Sequence, residues 1–191
     1  MAVKRSPQTG AKGSQFREIS PDGELRLNLH PGQTRVWESK ARFVSMQAGT
    51  MGGKTIFGPP WVHNEMDLRG PGDYLAVTAT YTLLRMKMLP ELLTEFTRVF
   101  QWGEWKAADR VLNSHERLHG GPAYRIIVGS ATNPESLESG EAKAGWLDEV
   151  GQEQFKRGAW EAVQRRVGLH QGRLLMTTTL YGFGWYKIEV Y

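Results

Sequence analysis

The chain of 191 residues contains no cysteine, which excludes a disulfide framework and a thiolate zinc centre and points to a reducing compartment. It also lacks any apolar run approaching the roughly 20 residues needed to cross a bilayer. Met1 to Ser14 has no apolar stretch of the signal-peptide kind, so a cytoplasmic protein without membrane contact is the expectation. Charge of one sign is scarce too: 24 Lys and Arg stand against 20 Asp and Glu, a formal net charge of +4. That surplus suits a polyanionic partner but is too mild to establish one. What is present is a globular composition, 40% hydrophobic, 10% aromatic and 23% charged, in a length that fits one domain.

Residues 1–20 mix Lys4, Arg5 and Lys12 with Gly, Ser, Pro and Gln and read as a flexible basic arm. Residues 21–191 read as a single domain. In its first part Leu25, Leu27 and Leu29 alternate with polar residues before Pro31 opens a helix. Short apolar runs follow: Phe43 to Ala48, Tyr74 to Ala79, Tyr124 to Ala131, Ala144 to Glu149 and Arg173 to Thr179. Each has the length and the Val, Ile and aromatic content of a buried strand. Helical segments are expected over Lys54 to Met66, Thr82 to Phe100 and Gln154 to Val167, and a strand or hairpin over Gln101 to Pro122. Strands alternating with helices predict an α/β fold, a mainly parallel central β-sheet with helices on both faces.

The stretch Ala48-Gly49-Thr50-Met51-Gly52-Gly53-Lys54-Thr55 falls between a predicted strand and a predicted helix and ends as a phosphate loop does, with Ala48 where that motif usually begins with Gly. Glycines let backbone N–H groups turn toward phosphate oxygens, the helix N-terminus adds its positive end, Lys54 reaches the β and γ phosphates, and the Thr55 hydroxyl suits Mg²⁺. Trp146-Leu147-Asp148-Glu149 closes an apolar run with two acids, the form of a Walker B element: Asp148 for Mg²⁺ and Glu149 to polarise the attacking water. Gln33 offers an amide with donor and acceptor for an adenine edge, and Arg35 follows it. Thr177, Thr178 and Thr179 end the last predicted strand, where hydroxyls can sense a γ-phosphate. ATP and Mg²⁺ are the implied cofactors.

The order Gln33, Ala48 to Thr55, ATYTLLRMKMLPEL, NPESLES at Asn133 to Ser139, WLDE, and TTTLYG at Thr177 to Gly182 resembles the ATPase domain of tailed-phage terminase large subunits, from about Leu29 to the C-terminus. The resemblance implies a P-loop ATPase fold of the additional-strand, catalytic-glutamate type. It implies a motor domain over residues 21–191 that hydrolyses ATP to translocate double-stranded viral DNA into a procapsid. Its partners would be other copies in a ring, a pentamer by the family pattern, with the portal protein and the small terminase subunit. Its place would be the host cytoplasm, transiently docked on the procapsid portal. By this resemblance Gln33, Lys54, Thr55, Asp148, Glu149 and Thr177 to Thr179 take the family's adenine, Walker A, Walker B, catalytic and coupling roles. No counterpart of the family's nuclease and no nuclease activity are expected from this chain.

The sequence departs from the family pattern at Thr50, Met51 and Gly52, where many members carry a loop arginine, and at Glu138-Ser139, where many carry an arginine acting on a neighbour's ATP. Arg165 and Arg166 are the substitutes for such a trans arginine; their bland alternative is a helix end favoured by its dipole. A helicase-type DNA or RNA ATPase, and a nucleotide-gated assembly module with little turnover of its own, are the rival functions. His115-Glu116-Arg117-Leu118-His119 matches H-E-x-x-H, with Glu138 as a third ligand. Gly120-Gly121-Pro122 follows at once, so a polar loop is expected there and not a zinc-bearing helix.

Overall fold

The computed structural model describes residues 4–5, 16–19, 25–115, 123–137, 140–179 and 184–189, in two units, Met1–Lys40 and Ala41–Tyr191. In the first unit β1 (Lys4–Arg5) runs parallel to β3 (Leu25–Leu27), and β2 (Arg17–Ile19) pairs antiparallel on its other side. Lys4–Arg5 and Arg17–Ile19 therefore pair as strands within the stretch expected as a flexible arm. Leu25 and Leu27 are buried and Arg26 between them is exposed, the period of two that marks a half-buried strand. Pro31 opens α1 (Pro31–Glu38) as expected, because its missing N–H has no partner at that position in any helix.

In the second unit the apolar runs form one sheet in the order β4-β10-β9-β5-β8-β7-β6. Its strands are β4 (Phe43–Gln47), β5 (Gly72–Thr78), β6 (Gly103–Lys106), β7 (Val111–Ser114), β8 (Tyr124–Ser130), β9 (Ala144–Asp148) and β10 (Arg173–Thr178). Strands β4, β10, β9, β5 and β8 are mutually parallel, while β6 and β7 are an antiparallel hairpin at one edge. The hairpin occupies the stretch from Gln101 where regular helix–strand alternation fails. Strand β10 lies between β4 and β9, so one added strand separates the strand before the glycine-rich loop from the strand ending in the acidic pair.

Helices cover both faces. Helix α2 (Lys54–Arg69) lies against one, so closely that a Cβ on Gly58 would come within 2.1 Å of the Trp146 indole. It runs three residues beyond the expected Met66 to Gly70, whose φ of +72° suits only glycine and whose N–H bonds the Met66 carbonyl. Helix α5 (Arg157–Gly168) covers the other face, where Ala159, Trp160, Val163 and Val167 pack with Leu75, Val77, Leu147 and Met176. It starts after a turn closed by Phe155 N–H on the Gln152 carbonyl, three residues later than the expected Gln154. A short helix, α6 (Trp185–Glu189), stacks Trp185 on Trp160.

Residues 81–99 wind as one helical rod: α3 (Tyr81–Leu83), a π turn (Leu84–Met88), α4 (Leu89–Leu93) and a second π segment (Thr94–Val99). The cause is in the spacing. Leu84, Met88, Leu92 and Phe96 are all buried, a step of four residues that overshoots an ideal α-helical turn by about 40° each time. The wider π turns absorb that overshoot and keep the four side chains on one face.

Candidate active site

The site stands at the carboxyl ends of the parallel strands, where open α/β sheets bind ligands. After β4 the chain turns through Ala48 to Gly53 into α2. Gly53 has φ +68° and Met51 φ +64°, and Met51 is 98% exposed. The loop closes tightly: a Cβ on Gly52 would sit 2.6 Å from that of Ala48, while one on Gly49 would meet nothing. The Lys54 ammonium folds back to donate to the Ala48 and Gly49 carbonyls at 2.9 and 2.8 Å. The loop is tied to β10 by Ala48 N–H on the Thr178 carbonyl at 3.2 Å and by the Thr179 hydroxyl on the Ala48 carbonyl at 3.1 Å.

Beside the loop, the Asp148 carboxylate accepts from the Thr55 hydroxyl at 3.0 Å on one oxygen and from the Thr177 hydroxyl at 2.7 Å on the other. Thr177 in turn accepts the Trp146 indole N–H at 2.8 Å. The first turn of α2, the end of β9 and the end of β10 therefore meet on one carboxyl group. Burial pushes Asp148 up to a pKa of about 6, and the neighbouring Glu149 charge adds to the rise; the Thr177 and Thr55 hydrogen bonds oppose it. Glu149 follows in a left-handed conformation, φ +58°, which costs a non-glycine residue on the order of 1–2 kcal/mol. Its backbone N–H is fixed on the Thr177 carbonyl at 2.7 Å, and one of its carboxylate oxygens is buried with no hydrogen-bond partner among the described residues. Thr178 links onward, accepting Gly151 N–H and donating to the Thr179 carbonyl, both at 2.9 Å.

The donor set fits a hard divalent cation, which takes hydroxyl and carboxylate oxygens. The glycine-lined loop with its lysine at the start of a 16-residue helix fits a phosphate chain. The structure thus brings Lys54, Thr55, Asp148, Glu149 and Thr177 to Thr179 together. Gln33 and Arg35 belong to the other unit. There the Gln33 side-chain carbonyl accepts the His30 N–H at 3.1 Å, and the His30 Nδ1 accepts the Gly32 and Gln33 N–H groups, a reciprocal helix cap.

Arg166 turns inward. Only 3% exposed, it donates to the Gly140 carbonyl inside its own chain, and burial lowers its pKa. It lies on the core face of α5 with Ala162, Val163 and Val167, whereas Arg165 faces outward. Of the H-E-x-x-H match, Glu116 to His119 and the candidate third ligand Glu138 lie outside the described residues, as do Ser139 and Leu180 to Gly182 of the family-like motifs. Among the described residues no three His, Asp or Glu side chains are placed to hold a metal together, and no helix is long and apolar enough to cross a membrane.

Sequence reading passed over Trp146, Thr78 and Ser130. Thr177, Asp148, Thr78 and Ser130 are in register across β10, β9, β5 and β8, a polar row on one face of the sheet, and all four are buried. The available signal was the hydroxyl residue ending the β5 and β8 runs, in Val77-Thr78 and Gly129-Ser130.

No family profile matches the chain, and no curated protein sequence matches it. Solved structures do. The fold is similar to that of phage large-terminase ATPase domains. The large terminase ATPase domain of Thermus phage P74-26 aligns with a TM-score of 0.69 at 18% identity, over 84% of this chain and 68% of that one. The large terminase from a second thermophilic bacteriophage aligns at 0.70 and 16%, over 83% of this chain and 41% of that one. The HK97 bacteriophage large terminase aligns at 0.60 and 13%, over 86% and 35%. The chain thus spans less than half of the last two large terminases.

Proposed function

We propose that this chain is a Mg²⁺-dependent ATPase that powers translocation of double-stranded viral DNA into a procapsid, as the motor part of a terminase large subunit. The observation that carries this reading is the meeting of the Thr55 and Thr177 hydroxyls on the Asp148 carboxylate, with Lys54 on the adjacent loop and, next in the chain, a Glu149 oxygen that has no partner among the described residues. Solved complexes of a thermophilic bacteriophage large terminase with ADP and with ATP-gamma-S lend support from a protein of the same fold.

In this proposal Lys54 exchanges the Ala48 and Gly49 carbonyls for the β and γ phosphates, and the loop N–H groups hold the phosphate oxygens. Thr55 and Asp148 would hold the cation, which would supply positive charge against the negative charge that develops on the ADP leaving group. Glu149 takes a proton from a water molecule as its oxygen bonds to the γ-phosphorus and the bond to the β–γ bridging oxygen breaks, releasing ADP and phosphate. Loss of the γ-phosphate is then read at Thr177 and Thr178, whose hydroxyls join the Walker B carboxylate to the turn after it. Gln33 and Arg35 are assigned to the base, and Arg165 is left as the arginine for a neighbour's nucleotide. Duplex DNA, further copies of the chain in a ring, the portal protein and the small subunit are the proposed partners. Two variants test the chemistry. Lys54→Ala is expected to abolish ATP binding in a calorimetric titration. Glu149→Gln is expected to bind ATP as the parent does and to lose turnover by at least about a hundredfold. Parent-like hydrolysis by either variant would overturn the assignment.

A further inference from the structure

Within the row Thr177, Asp148, Thr78 and Ser130, three members have side-chain partners. Thr177 bonds Asp148, Asp148 also accepts from Thr55, and the Ser130 hydroxyl pairs with that of Thr132 at 3.0 Å. Thr78 is the exception: its hydroxyl is buried, the residue is 1% exposed, and the oxygen has no hydrogen-bond partner among the described residues. Its carbonyl is engaged in the sheet, accepting Ala131 N–H at 2.8 Å. A buried hydroxyl left without a partner costs roughly 1–3 kcal/mol, and β-branched valine would fill the same strand position without that cost.

The position supplies the missing partner. Thr78 is directly in register with Asp148, and residues paired in a parallel sheet project to the same face. The strands are about 4.8 Å apart, and no direct hydrogen bond joins the two side chains. Two hydrogen bonds of about 2.8 Å through one water span such a gap. Among the described residues Glu149, the next residue along the chain from Asp148, also has a buried oxygen without a hydrogen-bond partner. A buried water needs two to four polar partners, and this place offers them.

We propose that Thr78 is a positioning residue of the nucleotide site, its hydroxyl holding a water on the Asp148 carboxylate within the hydration shell of the bound magnesium. The inference rests on the magnesium-ATPase reading above. Thr78 acts on the cation through water, so its removal loosens the metal and leaves the phosphate contacts of Lys54 and the loop intact. Thr78→Val preserves side-chain shape and removes the hydroxyl; Thr78→Ser keeps the hydroxyl. The experiment is calorimetric titration of ADP into parent, Thr78→Val and Thr78→Ser proteins, in EDTA and across a series of Mg²⁺ concentrations, with thermal unfolding to show that each variant is folded. All three are expected to bind ADP equally in EDTA. Thr78→Val is expected to need about tenfold more Mg²⁺ for the half-maximal gain in ADP affinity, and Thr78→Ser to need the parent's concentration. A Mg²⁺ requirement unchanged in Thr78→Val, or raised equally in Thr78→Ser, would overturn the role of the hydroxyl while leaving the ATPase reading intact. ADP binding by the parent that does not respond to Mg²⁺ would overturn both.

Discussion

At Asp148 burial raises the carboxyl to about 6 from an ordinary value of 3.8, and this sets an expected pH dependence. The folded state holds its proton more tightly than the unfolded state, so Asp148 contributes stability below about pH 4, and that contribution is lost as pH rises through 6. Metal-free protein therefore carries an unfavourable buried anion at pH 8, and a cation relieves it. Asp148→Asn is expected to raise the unfolding temperature of the metal-free protein at pH 8, with little difference from the parent near pH 4.5. In the parent, stabilisation by Mg²⁺ with ADP is expected to grow from pH 5 to pH 7. Thermal unfolding across that range measures both, and an Asp148→Asn effect independent of pH would contradict the assignment. The identities of Lys54, Thr55 and Asp148 were legible from spacing, because a phosphate loop and a strand-ending acid are local patterns. The unpaired hydroxyl of Thr78 was not legible, since only the neighbour across β5 and β9 shows that it faces a carboxylate.

At the scale of the element, the helical rod over residues 81–99 shows how packing overrides the α-helical repeat. Four buried side chains at steps of four would drift by about 120° over three steps of an ideal α-helix. Removing one exposed residue from the first π turn changes the steps to three, four and four, for which the drift falls to about 20°. Deletion of Met86, 73% exposed within Leu84–Met88, is accordingly expected to leave a cooperative fold with an unfolding temperature within about 5 °C of the parent. Insertion of an alanine after Met86 turns Met88, Leu92 and Phe96 to the wrong side, and is expected to lower that temperature by about 10 °C or more. Circular dichroism melts of the two variants check this, and equal tolerance of both would exclude the overshoot as the cause of the π turns. The sequence pattern showed a helix from Thr82 to Phe100 but not its π turns, because a period of four reads as helical in one dimension. Helix α2 held a similar ambiguity: Gly58, Pro59 and Pro60 are poor helix formers, yet Gly58 is where the helix meets the Trp146 ring.

For the whole molecule, the separation of Arg165 from Arg166 bears on assembly. If a neighbour in a ring supplies Arg165, turnover per subunit rises with protein concentration, and Arg165→Ala is expected to lower that concentration-dependent rate at least about tenfold without changing the unfolding temperature. Arg166→Ala is expected to act differently, lowering stability through loss of a buried side chain on the core face of α5. Steady-state ATPase assays over a concentration series, with and without duplex DNA, paired with thermal melts, separate the two; a loss of stability in Arg165→Ala would reverse the assignment. The order of strand and helix segments, the glycine-rich loop and the acidic pair were determined by the sequence alone, because periodicity, turn chemistry and motif spacing are properties of neighbouring residues. The insertion of β10 between β4 and β9, the burial that lifts Asp148, the inward turn of Arg166 and the polar row through Thr78 were decided only by the tertiary structure. Each depends on which distant segments become neighbours, and on how much water is excluded when they do.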